Sequence, residues 1–289
     1  MPFPPQLLAL AAALCSGGAT IIIRQALRGG DLYAGFWINL VVGTVGLWAG
    51  VFLTGGLGPP SAAGFALFIL AGLIGTAGGR LLRFVSIDQV GASIAAALIN
   101  LHPFVASGLA ILLLGERVTA PIVAGTAVIV AGTTLLSAGG RRIGFRPWQL
   151  ALPLLSATCF GAVAILRKLG LAHTGALVGS AINVTTALVA FSAFLCASGN
   201  RRVLACRGRS LAYFIAAGVA ENASVLLTIE ALAIGTVSVV APLTGAAPIF
   251  VLFLSFFFLR GIETLSARVV LGTLLIVLGV YLITALSGN

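Results

Sequence analysis

Acidic side chains are nearly missing from this 289-residue chain, in which six Asp and Glu face sixteen Lys and Arg. Charged residues of both signs make up only 8% of the composition, apolar residues make up 60%, and the mean hydropathy is +1.18. That balance excludes a water-soluble domain of this length. Histidine occurs twice, with no HExxH run and no Ser/His/Asp set that can be placed on facing helices, so an enzyme is not expected. The four cysteines lack metal-ligand spacing. Cys15, Cys159 and Cys196 fall within or at the edge of apolar runs and Cys206 falls in a loop, so they read as packing residues and no metal or cofactor is expected. Strand-period alternation is also absent, which excludes a membrane barrel.

What the chain does have is long apolar runs. A spanning helix needs about 20 mostly apolar residues, and ten segments qualify: Gln6 to Ile23, Tyr33 to Leu53, Ala62 to Leu82, Val90 to Leu114, Ala120 to Ala138, Trp148 to Leu166, Leu177 to Ala197, Leu211 to Ala233, Thr236 to Leu259 and Leu265 to Leu286. With no water to satisfy the backbone at that depth, each must be helical. The expected fold is therefore an all-α integral membrane protein with ten transmembrane helices. No Lys or Arg precedes the first run, so it reads as a retained helix rather than a cleaved signal. The basic residues sit in short loops and at helix ends, where they orient the chain in a bilayer, and a nucleic-acid partner is not expected. Thirteen of the sixteen lie on one side, leaving Arg117, Arg167 and Lys168 on the other. By that count both termini lie outside the cytoplasm of a cell inner (plasma) membrane.

The sequence repeats itself. A shift of 144 residues aligns Cys15 with Cys159, Gly17 with Gly161, Arg24 with Lys168, Gly35 with Gly179 and Asn39 with Asn183. With a drift of one to three residues the match continues through Ser93 and Ser238, Pro103 and Pro248, Glu116 and Glu263, Gly125 and Gly272, and Gly132 and Gly279. The halves are residues 1–140 and 141–289, with five helices each. Five is odd, so the second half enters the membrane from the opposite face, giving two inverted repeats related by a pseudo-two-fold axis in the membrane plane. Such duplications belong to alternating-access carriers that bind substrate near the midplane.

The fourth segment, VGASIAAALINLHPFVASGLAILLLGERVT, and its counterpart IGTVSVVAPLTGAAPIFVLFLSFFFLRGIETLS resemble EamA-type members of the drug/metabolite transporter superfamily. Pro103, the Gly115-Glu116-Arg117 turn and the seven-residue glycine spacings Gly125/Gly132 and Gly272/Gly279 carry the resemblance, while Leu259 to Glu263 only approximates the turn. The resemblance implies a ten-helix bundle exporting small metabolites, such as amino acids or toxic compounds, through a cavity lined mainly by the third, fourth, eighth and ninth segments. It also implies cytoplasmic termini, against the charge count.

Polar groups at lipid depth are the candidate site. Arg80 and Arg83 lie three residues apart, on one face of the third segment, with Arg80 roughly 10 Å deep at about 1.5 Å per residue. Both can snorkel to the headgroups, or Arg80 can hold a carboxylate with its guanidinium fork. Glu221, beside Asn222, lies near the middle of the eighth segment and must be paired, hydrated or protonated. Arg80 and Glu221 share a cavity with substrate or water between them, form a structural ion pair, or have unrelated roles. The fourth segment adds Asn100, His102 and Pro103, and the ninth adds Thr244 and Gly245 between Pro242 and Pro248. Prolines that break helices at matching places mark a binding site. His102 is a proton relay or a buried imidazole satisfied by a neighbour. Asn39 and Asn183 either bond between helices or line the cavity. Glu230 and Gly115-Glu116-Arg117 read as membrane-edge features.

The expected function is secondary active transport of a small molecule, with proton coupling as a further possibility and the lipid bilayer as surroundings. An uncoupled channel or a lipid-moving protein of the same fold is the alternative. The glycine stripes of the fifth and tenth segments suit scaffold packing or a homodimer face, so monomer and homodimer both stand.

Overall fold

The structure is a computed structural model that describes residues 3–27, 29–55, 61–90, 98–137, 147–199, 206–258 and 267–286. The boundary between the halves, the repeat partners Ser93 and Glu263, and the loop arginines Arg141, Arg142, Arg146, Arg201, Arg202 and Arg260 lie outside the described residues. Among the described residues the architecture is all-helical, with no strand.

Helices α1 (Pro5–Ala26) and α2 (Leu32–Leu53) open the first half. Asp31 starts α2 by accepting the Tyr33 and Ala34 amides at 2.9 and 3.1 Å, which satisfies two orphan donors at its N-terminus. Next comes a continuous rod of α3 (Ala62–Ala71), a π-helical stretch over Gly72–Gly79 and α4 (Arg80–Val90). The predicted fourth segment is broken: Val90 ends α4, Leu98 and Ile99 are helical, Asn100 and Leu101 form a turn, and α5 (His102–Leu114) restarts with Pro103 in its first turn. A proline is tolerated there because its missing N–H would have no intrahelical partner. The left-handed Gly115, at φ 65°, then stops α5. The half closes with α6 (Ala120–Ser137).

A short 3-10 turn, Pro147–Leu150, leads into α7 (Ala151–Gly170), followed by α8 (Ala176–Ala197) and α9 (Gly208–Ile234). The predicted ninth segment is broken like the fourth, into α10 (Val237–Thr244) and α11 (Ala247–Phe258), and α12 (Ala267–Leu286) ends the chain's helices. Among the described residues six helices are long and apolar enough to cross a membrane, and four shorter apolar ones accompany them, at His102–Leu114, Ala120–Leu135, Val237–Val251 and Val270–Thr284. Large side chains such as Leu53, Leu112, Phe52 and Val189 point outward. An apolar exterior on this scale belongs in lipid, and the chain is a multi-pass membrane protein.

Contacts between the halves are reciprocal, as a two-fold relation requires. Helix α1 packs along α9 as α7 packs along the α3–π–α4 rod, and α1 meets α11 as α7 meets α5. Between equivalent helices of the two halves, α2 faces α8 and α6 faces α12. Trp37 and Trp48 each donate an indole N–H to α8, at Ser192 (3.0 Å) and Thr185 (2.8 Å), because a buried indole needs an acceptor. The glycine stripes of α6 and α12 face one another, with Gly125 and Gly279 each against the other's carbonyl. Scaffold packing is therefore their role between these two helices, with backbones close enough to replace side-chain contact.

Candidate functional site

A cavity of about 230 Å³ lies between the halves, walled by α1, the π-helical stretch, α5, α7, α9 and α10. The two helix breaks meet beside it, where Gly245 lies against the Pro103 ring. The eight-residue π-helix follows from a sequence, GLIGTAGG, with little side-chain packing to hold an α-helical pitch. Such wide turns recur at functional sites, and here Gly75, Thr76 and the following Arg80 reach the cavity wall.

Arg80 and Glu221 are in direct contact, Nη2 to Oε1 at 3.0 Å, with side chains 20% and 22% exposed. The Arg80 guanidinium also lies 5.5 Å over the Phe36 ring, a cation–π contact that fixes its plane. Arg80 lines the cavity while Glu221 stands behind it on α9, one turn before the lining residues Ser224 and Val225. Arg83 is exposed and does not line the cavity.

His102 lines the cavity at the start of α5, edge-on to Phe160 at 6.3 Å between ring centroids. Its Nδ1 is buried with no hydrogen-bond partner among the described residues. Thr244 also lines the cavity, donating its hydroxyl to the Ala241 carbonyl at 2.9 Å.

The asparagines take the interhelical alternative. Asn222 Nδ2 donates to the Asn39 carbonyl at 3.1 Å, and Asn183 Nδ2 donates to Thr76 Oγ1 at 3.1 Å. The same pair of repeat positions is bridged twice with donor and acceptor exchanged: α9 donates to α2 in one half-interface, and α8 donates to the π-helix in the other. Asn39, Asn183 and Asn222 are buried and lie outside the cavity lining, and Asn100 sits in the turn before α5 without lining it.

Sequence reasoning missed Arg167. Counted with Lys168 as a loop residue, it lies inside the last turn of α7. Phe160, Val163, Ala164 and Arg167 form one i, i+3, i+4, i+7 face of that helix and all four line the cavity. Arg167 Nε is buried and has no hydrogen-bond partner among the described residues. Lys168 turns the other way, its Nζ donating to the Leu232 and Gly235 carbonyls, both at 2.7 Å, where it caps the C-terminus of α9.

Glu116 has more than an edge role. Its carboxylate accepts the Val237 amide at 2.8 Å, the Ser238 amide at 3.0 Å and the Ser238 hydroxyl at 2.8 Å, capping α10 from the other half. The α9–α10 corner is thus tied from both sides, by Lys168 and Glu116. Glu116→Gln keeps the shape but loses the charge facing three donors, and is expected to destabilise the protein by about 1–2 kcal/mol. A lowered unfolding midpoint of the purified protein in detergent checks this.

The EamA-like transporter family profile matches residues 4–138 and again residues 147–285. The chain belongs to the EamA-like transporter family. A duplicated match over nearly the whole chain agrees with the reciprocal packing of the halves. A solved crystal structure shares the EamA-like fold at a TM-score of 0.80 and 18% identity, the match covering 98% of this chain and 96% of that one. Among curated proteins none matches the chain in sequence. Membership makes this EamA-like chain a membrane transporter by fold, a class that does not typically perform catalysis.

Proposed function

We propose that this EamA-like protein is a secondary active transporter that exports a small organic metabolite across the inner membrane by alternating access, on ten spans arranged as two inverted repeats. The observation that carries the reading is the cavity between the halves, which adjoins both helix breaks and takes in Arg80 held by Glu221. Two bodies with reciprocal contacts can rock about a site at their junction, and discontinuous helices supply polar backbone there at lipid depth. The volume lies below the roughly 300–1,000 Å³ of drug-sized sites, which favours a small cargo.

Glu221 gives the carrier a coupling element. Protonating its carboxylate breaks the ion pair and frees the Arg80 guanidinium toward the cavity, so proton binding and substrate binding act on one contact. His102, with its unpartnered nitrogen on the same wall, is the relay that exchanges the proton with the cavity. Proteoliposomes test this. Saturable flux, countertransport and acceleration by an imposed pH gradient are the expected results, whereas linear unsaturable flux rejects a carrier in favour of a channel.

A further inference from the structure

Charge accounting around the cavity leaves one cation over. Four of the six acidic residues have described side chains, and each is committed or turned away: Asp31 caps α2, Glu116 caps α10, Glu221 holds Arg80, and Glu230 is exposed. Among the described residues the cavity lining contains two guanidinium groups, Arg80 and Arg167, and no carboxylate, and of these two only Arg80 has a carboxylate partner. Arg167 forms no hydrogen bond or ion pair among the described residues, and its Nε is buried. A guanidinium stays charged in any protein setting. A charged group with a buried, unpaired nitrogen is costly, so its place on the cavity wall points to a ligand that pairs with it.

The neutral polar groups of the wall do not take the place of an anion's counter-charge. Ser224 donates its hydroxyl proton to the Ala12 carbonyl at 2.7 Å, and Thr228 donates to the Ser224 carbonyl at 2.8 Å. Thr244 is spent in the same way on Ala241. Their lone pairs remain, so these three groups present acceptors. One part of the cavity thus offers a bare cation, and Ser224, Thr228 and Thr244 offer acceptors for O–H or N–H groups beside the further polar residues Ser16, Thr76 and His102.

We infer that the cargo is a small organic anion, a carboxylate or phosphate ester carrying hydroxyl or amino donors, whose charged group is anchored by Arg167. The inference rests on the transporter reading above and names its substrate class. The planar fork of Arg167 donates to two anionic oxygens at once. Arg80 becomes the second cationic partner when its hold on Glu221 is released, which makes Arg167 the resting anchor and Arg80 the conditional one. The donors on the remainder of the cargo meet Ser224, Thr228 and Thr244.

Metabolites inside and outside cells overproducing the full chain are compared with those of cells carrying Arg167→Gln at equal membrane abundance, and each compound moved is then assayed in proteoliposomes. The compounds shifted by the wild type are expected to be organic anions, with the carboxylate or phosphate read directly from their identity. Arg167→Gln is expected to lower their flux about tenfold or more, the loss of a charge-assisted contact. Arg167→Lys keeps the charge without the fork, so KM is expected to rise with the maximal rate within about threefold. This variant carries the test if the Gln form fails to insert. A shifted set of only neutral or cationic compounds overturns the inference while the carrier reading stands, and so does anion flux through Arg167→Gln within twofold of wild type. If the wild type moves no compound at all, the transporter reading itself falls.

Discussion

Arg80→Ala and Glu221→Gln are each expected to insert at normal abundance and to lose transport by about a hundredfold, the upper range for one charge-assisted contact. The direct 3.0 Å pair sets up a sharp distinction. If the pair only held α9 against the π-helical rod, removing both partners would restore activity, because nothing charged would then be left unpaired. With a transport role, Arg80→Ala/Glu221→Gln regains the stability lost by either single variant and remains inactive. Both side chains are about a fifth exposed, so the stability effect of either single change is expected at about 1–2 kcal/mol, below that of a fully buried pair. Uptake and unfolding midpoint measured on all four proteins separate the two roles through the coupling energy. Wild-type flux in either single variant rejects the assignment.

The helices, the duplication and the places where the chain breaks were legible because each depends on residue type alone. An apolar run long enough to span must be helical in lipid, and Pro103 and Pro248 each follow a break in the chain, whereas Pro242 stays inside α10. The rotation of each helix was not legible. In a soluble protein the apolar stripe tells which face turns inward, but here lipid and core are equally apolar and the stripe vanishes. Arg167 and Lys168 show the result: neighbours in sequence, one faces the cavity and the other caps α9. Glu116 looked like an edge residue because its partners, Val237 and Ser238, lie 121 and 122 residues away in the other half.

Scaffold and site also differ in how they treat the repeat. Asn39 with Asn222 repeats as Asn183 with Thr76, and Gly17 against Phe250 repeats as Gly161 against Val105. The site breaks this pattern. Arg24 is the repeat partner of Lys168, but Arg167 is matched by the apolar Ile23, and Glu221 by Gly75 within the drift of the alignment. On the proposed alternating access, two halves that rock against each other keep matching contacts, whereas a single cargo needs only one set of charges. Departure from the repeat, at a position whose neighbours obey it, is therefore the sequence signal that singles out Arg167 and Glu221.

The strictest consequence of the repeat concerns Gly35 and Gly179. Gly179 accepts the ring of Phe68, and Gly35 accepts the ring of Phe214, its repeat counterpart. A Cβ at either glycine would overlap that ring, and both phenylalanines are fully buried, at 0% and 2% exposure, so neither can swing away. Gly179→Leu is expected to destabilise the protein by about 3 kcal/mol, the upper end of overpacking penalties, and Gly35→Leu by a similar amount. Each loss should be relieved by truncating its own ring and not the other: Gly179→Leu with Phe68→Ala recovers, and Gly179→Leu with Phe214→Ala does not. Thermal unfolding of the purified variants in one detergent measures the set, and recovery by the wrong ring would mean that the two interfaces are not independent copies of one contact.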